Sequence, residues 1–217
     1  VIPVQVPNLE NIIDVSAGHH FSIALKNDGT VWAWGVNYCG QLGDGTTEGK
    51  YFPIKVLYLE NVIAIAAGVD HSLALKSDGT VWGWGGDYYG QLGNGAFVFG
   101  YAYPVKTENL SDVISISAGG SFSLALRKDG TVWAWGNNSE GQLGNGDYGN
   151  KNVPTQVLNL DDVIEISAGY GHSLALKSDG TVWAWGWNKF GELGDGTNEK
   201  KFIPTQTLNL NDVIAIS

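Results

Sequence analysis

Ala67-Gly68-Val69-Asp70-His71-Ser72-Leu73-Ala74-Leu75-Lys76-Ser77-Asp78-Gly79-Thr80-Val81-Trp82-Gly83-Trp84-Gly85 occurs, with small changes, four times in the chain. The other copies begin at Ala17, Ala118 and Ala168. Their Asp-Gly pairs start at Asp28, Asp78, Asp129 and Asp179, in steps of 50, 51 and 50 residues. A fixed period of this length marks a stacked-repeat or propeller architecture. Within the repeat, Ser72-Leu73-Ala74-Leu75 and Val81-Trp82-Gly83-Trp84 alternate in side-chain size, the period of a β-strand. Asp78-Gly79 between them suits a tight two-residue turn.

That turn sets an expected register, with Leu75 opposite Trp82, Leu73 opposite Trp84 and Ala74 opposite Gly83. One face of the hairpin is then Leu and Trp, the other Ala and Gly. Such sheets stack with the bulky indole side of one against the small side of the next, filling the interior without voids. On this reading Trp82 is a core residue, and Trp82→Ala costs roughly 3–5 kcal/mol.

Composition narrows the class. The chain has 217 residues, with 31 Gly and 9 Trp, and glycine without a triplet period means many turns. No apolar run approaches the roughly 20 residues of a membrane-spanning helix. The net charge of −10 argues against nucleic acid or an anionic membrane surface as partner. The single cysteine, Cys39, excludes an intrachain disulfide and reads as a lone surface thiol. The chain contains no Met, so it is expected to be a processed product or an excerpt of something longer.

Each repeat adds two further strands. One is rich in Val and Ile, as in Val62-Ile63-Ala64-Ile65; the other carries Pro53, Pro104, Pro154 or Pro204, which suits an edge. No segment has a helical period. The chain therefore reads as an all-β β-propeller of four blades, each about 50 residues and four strands. It is expected to be one domain, 1–217, with repeats at approximately 12–61, 62–112, 113–162 and 163–212 and partial repeats at 1–11 and 213–217. Residues 2–16 and 203–217 duplicate each other, so the ends do not complete one another as in a self-closed ring. An arc of a larger, seven-bladed-type ring is expected, or association end to end through open blade edges, with a closed four-bladed ring as the remaining alternative.

Three motifs recur in order: Ala-Gly-x-x-His/Phe-Ser-Leu-Ala-Leu, Asp-Gly-Thr-Val-Trp-x-Trp-Gly and Gly-Gln-Leu-Gly-x-Gly. Together they closely resemble the repeats of the regulator of chromosome condensation family, over essentially the whole chain. The resemblance implies a propeller, typically seven-bladed, that acts through loops at its rim. In that family one member is a nucleotide exchange factor for a small GTPase that also docks on nucleosomes, and bacterial relatives include secreted β-lactamase inhibitors. Those relatives lean the localisation towards secreted or cell-surface.

Residue chemistry offers no catalytic site. His71 and His172 occupy a position that Phe21 and Phe122 fill in the other copies, which favours a packed histidine over a metal ligand. His19 and His20 are adjacent on an extended chain and point to opposite sides. The Gly-Asp-Gly loops lack the acidic spacing and terminal Glu of a calcium loop. No phosphate cradle or Gly-x-Ser-x-Gly elbow is present. The expectation is thus no enzyme, no cofactor and no metal.

Variation gathers in the loops, and it is aromatic. The candidate binding residues are Tyr38, Tyr51, Tyr88, Tyr89, Phe97, Phe99, Tyr101, Tyr103, Tyr148, Trp187 and Phe190. Tyr and Trp on polar, glycine-rich loops supply large contact area at small entropy cost. The expected partner is another protein, with a glycan ranked below it and neither nucleic acid nor membrane. The alternative is a structural module of a longer surface protein. Burial of Phe97, Phe99, Tyr101 and Tyr103 against a neighbouring blade would favour that alternative, and exposure as one patch would favour binding.

Overall fold

The computed structural model describes residues 2–217. Among them the chain forms four antiparallel four-stranded blades and no helix. Blade 1 is β1 (Ile12–Ala17), β2 (Phe21–Lys26), β3 (Val31–Gly35) and β4 (Lys50–Lys55). Blade 2 is β5 (Val62–Ala67), β6 (His71–Lys76), β7 (Val81–Asp87) and β8 (Val98–Lys106). Blade 3 is β9 (Val113–Ala118), β10 (Phe122–Arg127), β11 (Val132–Gly136) and β12 (Lys151–Gln156). Blade 4 is β13 (Val163–Ala168), β14 (His172–Lys177), β15 (Val182–Gly186) and β16 (Lys201–Gln206). In each blade the strands pair in chain order. β1, β5, β9 and β13 stand side by side, and Ala17, Ala67, Ala118 and Ala168 at their ends line one shared opening.

The hairpin register differs from the expected one. Leu75 pairs with Val81, Ala74 with Trp82, Leu73 with Gly83 and Ser72 with Trp84. The loop has three residues, not two: the Lys76 N–H donates to Thr80 O at 2.9 Å and the Gly79 N–H to Lys76 O at 2.9 Å. Gly79 takes the positive φ of 76°, while Asp78 stays in ordinary backbone and its carboxylate accepts from the Thr80 amide and hydroxyl. One extra loop residue moves every facing pair by one and recomposes both faces.

The faces are therefore Leu73, Leu75, Val81 and Gly83 on one side, and Ser72, Ala74, Trp82 and Trp84 on the other. The indole side packs on the aliphatic side of the preceding blade. Ile23, Leu25, Val31 and Ala33 of blade 1 form one core with Ile65, Ala74 and Trp84 of blade 2, and the pattern repeats twice. The fully buried indoles are Trp84, Trp135 and Trp185. Trp82 is only half-buried: its Nε1 donates to Thr80 Oγ1 at 3.2 Å and the Lys76 ammonium lies over its ring. The large truncation cost expected at Trp82 belongs instead to Trp84.

Each junction is pinned by the same hydrogen bonds. Trp84 Nε1 and Ser72 Oγ both donate to Gln41 O of the preceding blade, at 2.8 and 3.0 Å. Trp135 and Ser123 do so to Gln91 O, and Trp185 and Ser173 to Gln142 O. The indole also lies against a glycine: a Cβ on Gly43, Gly93 or Gly144 would stand 2.8–3.0 Å from Nε1 of Trp84, Trp135 or Trp185. Among the described residues blade 1 has no blade before it. Val15 of blade 1 is 66% exposed, whereas Ile65 and Ile166 at the same position in blades 2 and 4 are each 7% exposed.

Candidate functional site at the blade rim

A buried side chain shapes each rim loop. In blade 1, Asn37 Oδ1 accepts from the Leu42 N–H at 2.9 Å, and its Nδ2 donates to Asp44 Oδ1, Thr46 O and Glu48 O. Asn138 and Asn188 gather the loops of blades 3 and 4 in the same way. Blade 2 has Asp87 instead. Its Oδ1 accepts from the Leu92 N–H at 3.0 Å, while Oδ2 is buried without a partner. A carboxylate has no N–H with which to collect carbonyls. The blade 2 loop is zipped into strand: β7 and β8 extend to an Asp87–Val98 pair. Burial pushes the Asp87 carboxyl up to about 7, with the Leu92 amide opposing.

The long β8 lies across blade 1. The Gly45 N–H donates to Ala102 O at 3.0 Å, and the Tyr103 ring packs on Gly45. Tyr88 meets Phe99 edge to face with ring centroids 4.9 Å apart, and Tyr103 meets Tyr58 at 5.8 Å. Burial and then the Asp70 charge hold the Cys39 thiol above its ordinary range. The Tyr88 hydroxyl is raised by desolvation and then by the charges of Cys39 and Asp70. Cys39, Asp70, Tyr88 and Phe99 thus share one neighbourhood.

The other candidates form separate groups. Tyr38 and Tyr51 flank a groove with His20 in blade 1. Tyr89 and Trp187 share another with Tyr170. Tyr148 packs at a tilt against Phe202, ring centroids 4.2 Å apart, near the Lys200 ammonium. Of the whole set, Tyr101 and Trp187 are half-buried and the rest exposed. Phe97, Phe99 and Tyr103 are exposed, so that segment divides between solvent and blade 1. Tyr58 and Tyr170 are exposed aromatics that sequence reasoning passed over. Tyr58 sits at a positive φ of 56° in a turn, where its repeat counterparts are Asn8, Asn109, Asn159 and Asn209, and one tyrosine among four asparagines was the usable signal.

His71 is a packed residue. It is fully buried, with Nε2 3.1 Å from Ser123 Oγ of blade 3, and burial holds its pKa down to about 4. Among the described residues no three His, Cys, Asp or Glu side chains gather as a metal site.

The model of the RCC1-like domain matches residues 1–217. The chain belongs to that family. This RCC1-like chain is 34% identical over 158 residues to the human probable E3 ubiquitin-protein ligase HERC6, spanning 71% of this chain and 10% of that protein. It is 34% identical over 146 residues to the mitochondrial RCC1 domain-containing protein RUG3 of Arabidopsis thaliana, spanning 67% of this chain and 22% of that one. Yeast RCC1 (Prp20), solved bound to Kap60, superposes with a TM-score of 0.86 at 26% identity, over 95% of this chain and 51% of that chain. The RCC1-like chain thus has the β-propeller fold and spans about half the length of this solved relative.

Proposed function

We propose that the chain is a non-catalytic protein-binding scaffold whose blades hold aromatic rim loops towards a partner protein. The observation that carries this reading is the extended β7–β8 hairpin of blade 2. It leaves Phe97, Phe99 and Tyr88 exposed, with Tyr88 and Phe99 already packed edge to face. An aromatic pair already packed together beside a strand ladder loses little rotamer freedom on binding, which is how such residues become dominant contacts. The relative in yeast was solved in complex with Kap60, and another yeast RCC1 structure is described with its binding to Gsp1p and histones. Protein partners are therefore in keeping with the fold family, although this chain's own partner differs wherever its loops do.

The test is affinity capture with the chain and with a Tyr88→Ser/Phe97→Ser/Phe99→Ser variant that keeps the same circular dichroism. The expected result is a stoichiometric partner held by the parent and lost from the variant. The same partner, held equally by both, would remove the rim of blade 2 from the binding surface.

A further inference from the structure

Charge is distributed unevenly over the four rims. In blades 1, 3 and 4 the residue paired with Gly35, Gly136 or Gly186 is Lys50, Lys151 or Lys201. Each of these ammonium groups is held within its own loop, on Asp44 at 3.3 Å, Asp147 at 2.7 Å and Asp195 at 3.2 Å. In blade 2 the residue paired with Gly85 is Tyr101. No Lys or Arg occurs between Lys76 and Lys106, and Lys106 pairs with Trp82 at the other end of the blade. Asp70, in contrast, is present at this rim. Its side chain lies on β7, with its Cβ 3.4 Å from where a Cβ on Gly86 would stand, and it forms no ion pair among the described residues. After desolvation, its charge helps to raise both the Cys39 thiol and the Tyr88 hydroxyl, which places it beside the edge-to-face pair of Tyr88 and Phe99. Blades 1 and 3 cover both faces of blade 2, and the two rings stay exposed between them.

The junction of blades 3 and 4 shows how such a rim holds a cation. Lys200 Nζ lies 3.5 Å from Glu140 Oε2 and 3.3 Å from Ser139 O, with the rings of Tyr148 and Phe202 centred 5.9 and 5.6 Å away. By strand pairing, the place of Lys200 in blade 2 is Gly100, which has no side chain and lies against Cys39 O. Blade 2 thus has two rings and a carboxylate but no ammonium of its own.

We propose that the rim of blade 2 takes a basic segment of the partner protein, seating one Arg or Lys side chain on the Tyr88 and Phe99 rings with its charge on Asp70. This rests on the scaffold reading above and names the chemistry of the partner. The ring faces attract the cation, and the unpaired carboxylate fixes where it sits. The net charge of −10 favours the approach of a basic segment. An acidic or apolar segment would instead desolvate Asp70 and leave it unpaired.

The probe is a short peptide of alternating Gly and Arg, beside a counterpart in which uncharged citrulline replaces each Arg. Nuclear magnetic resonance titration of the isotope-labelled chain is expected to show saturable shifts centred on the amides of Asp70, Tyr88 and Phe99 with the Arg peptide, and none with the citrulline peptide. Asp70→Asn and Tyr88→Ser/Phe99→Ser, each checked for folding by circular dichroism, are expected to weaken binding about fivefold. Glu10→Gln, which removes the same charge elsewhere, is expected to change it by less than about twofold. No saturable shift with the Arg peptide overturns the proposal. So do shifts spread over every acidic loop, or equal weakening by Glu10→Gln and Asp70→Asn, which is attraction to net charge alone. The scaffold reading fails separately, when a captured partner is held equally after the Ser substitutions. A partner lost from the Ser variant but held fully by Asp70→Asn overturns the basic side chain and leaves the scaffold standing.

Discussion

Trp135 and Trp34 stand at the same position of the same strand in two nearly identical repeats, and their situations differ in every respect that matters to energy. Trp135 is sealed between blades 2 and 3, donates to Gln91 O at 2.8 Å and lies on Gly93. Trp34 has no preceding blade among the described residues and is only half-buried. In a repeat stack the contribution of a residue is a property of the junction, because stability divides into units and nearest-neighbour interfaces. The sharpest break of the comparison is therefore truncation. Trp135→Ala is expected to cost about 3–5 kcal/mol, the range for a large aromatic removed from a packed interior. Trp34→Ala is expected to cost under about 1 kcal/mol, since much of the ring is already hydrated. Urea unfolding followed by tryptophan fluorescence compares the two, and equal losses would mean that the junctions do not carry the fold.

The glycines beneath the indoles sharpen the same contrast. Gly93 and Gly194 both have positive φ, 68° and 61°, so an added Cβ is strained at either, by about 1–2 kcal/mol. Only Gly93 also has an indole within 3.0 Å of that Cβ. Overpacking adds roughly 1–3 kcal/mol. Gly93→Ala should thus lower the urea midpoint clearly more than Gly194→Ala, and a matching pair of midpoints would show that the indole yields at no cost.

The period, the strands and the four blades were legible because each pattern is written four times over. The register was not. Asp-Gly fits hairpin loops of either two or three residues, and that single residue decides which side chains share a face. Trp82 and Trp84 share a face as expected, but with Ser72 and Ala74 in place of Leu73 and Leu75; of the two only Trp84 is fully buried, and it faces aliphatic side chains where alanine and glycine were expected. The rim aromatics could be read as a set but not as groups, because Tyr88 meets Phe99 only once β7 and β8 have been lengthened. That lengthening coincides with Asp87, the last paired residue of β7. Its counterparts Asn37, Asn138 and Asn188 look like ordinary turn formers in the sequence, and nothing local says that their amides are buried. The signal available was the one carboxylate among three amides.

The smallest expected effect compares blade 2 with its neighbours through pH. Asp87 is raised from its ordinary 3.8 to about 7, so between those values the folded chain holds a proton that the unfolded chain lacks. Its contribution to stability is complete below about 4 and is lost as pH rises through about 7. His71 is lowered from 6.5 to about 4, so the unfolded chain binds the extra proton, and stability is lost as pH falls through that window. The two trends oppose each other between about 4 and 6.5, and His172, also held down by burial with Glu192 opposing, adds to the His71 side, so the parent's stability is expected to fall only gently on acidification there. Asp87→Asn, which writes blade 2 like the other three, removes one of them. The variant should be more stable than the parent at pH 8, by on the order of 1–2 kcal/mol. On acidification below pH 6.5 it should lose stability at up to about 1.4 kcal/mol per pH unit. His71→Phe, matching Phe21 and Phe122, leaves the opposite slope. Urea midpoints at half-unit pH steps read all three chains, and parallel profiles would show that neither group titrates within the fold.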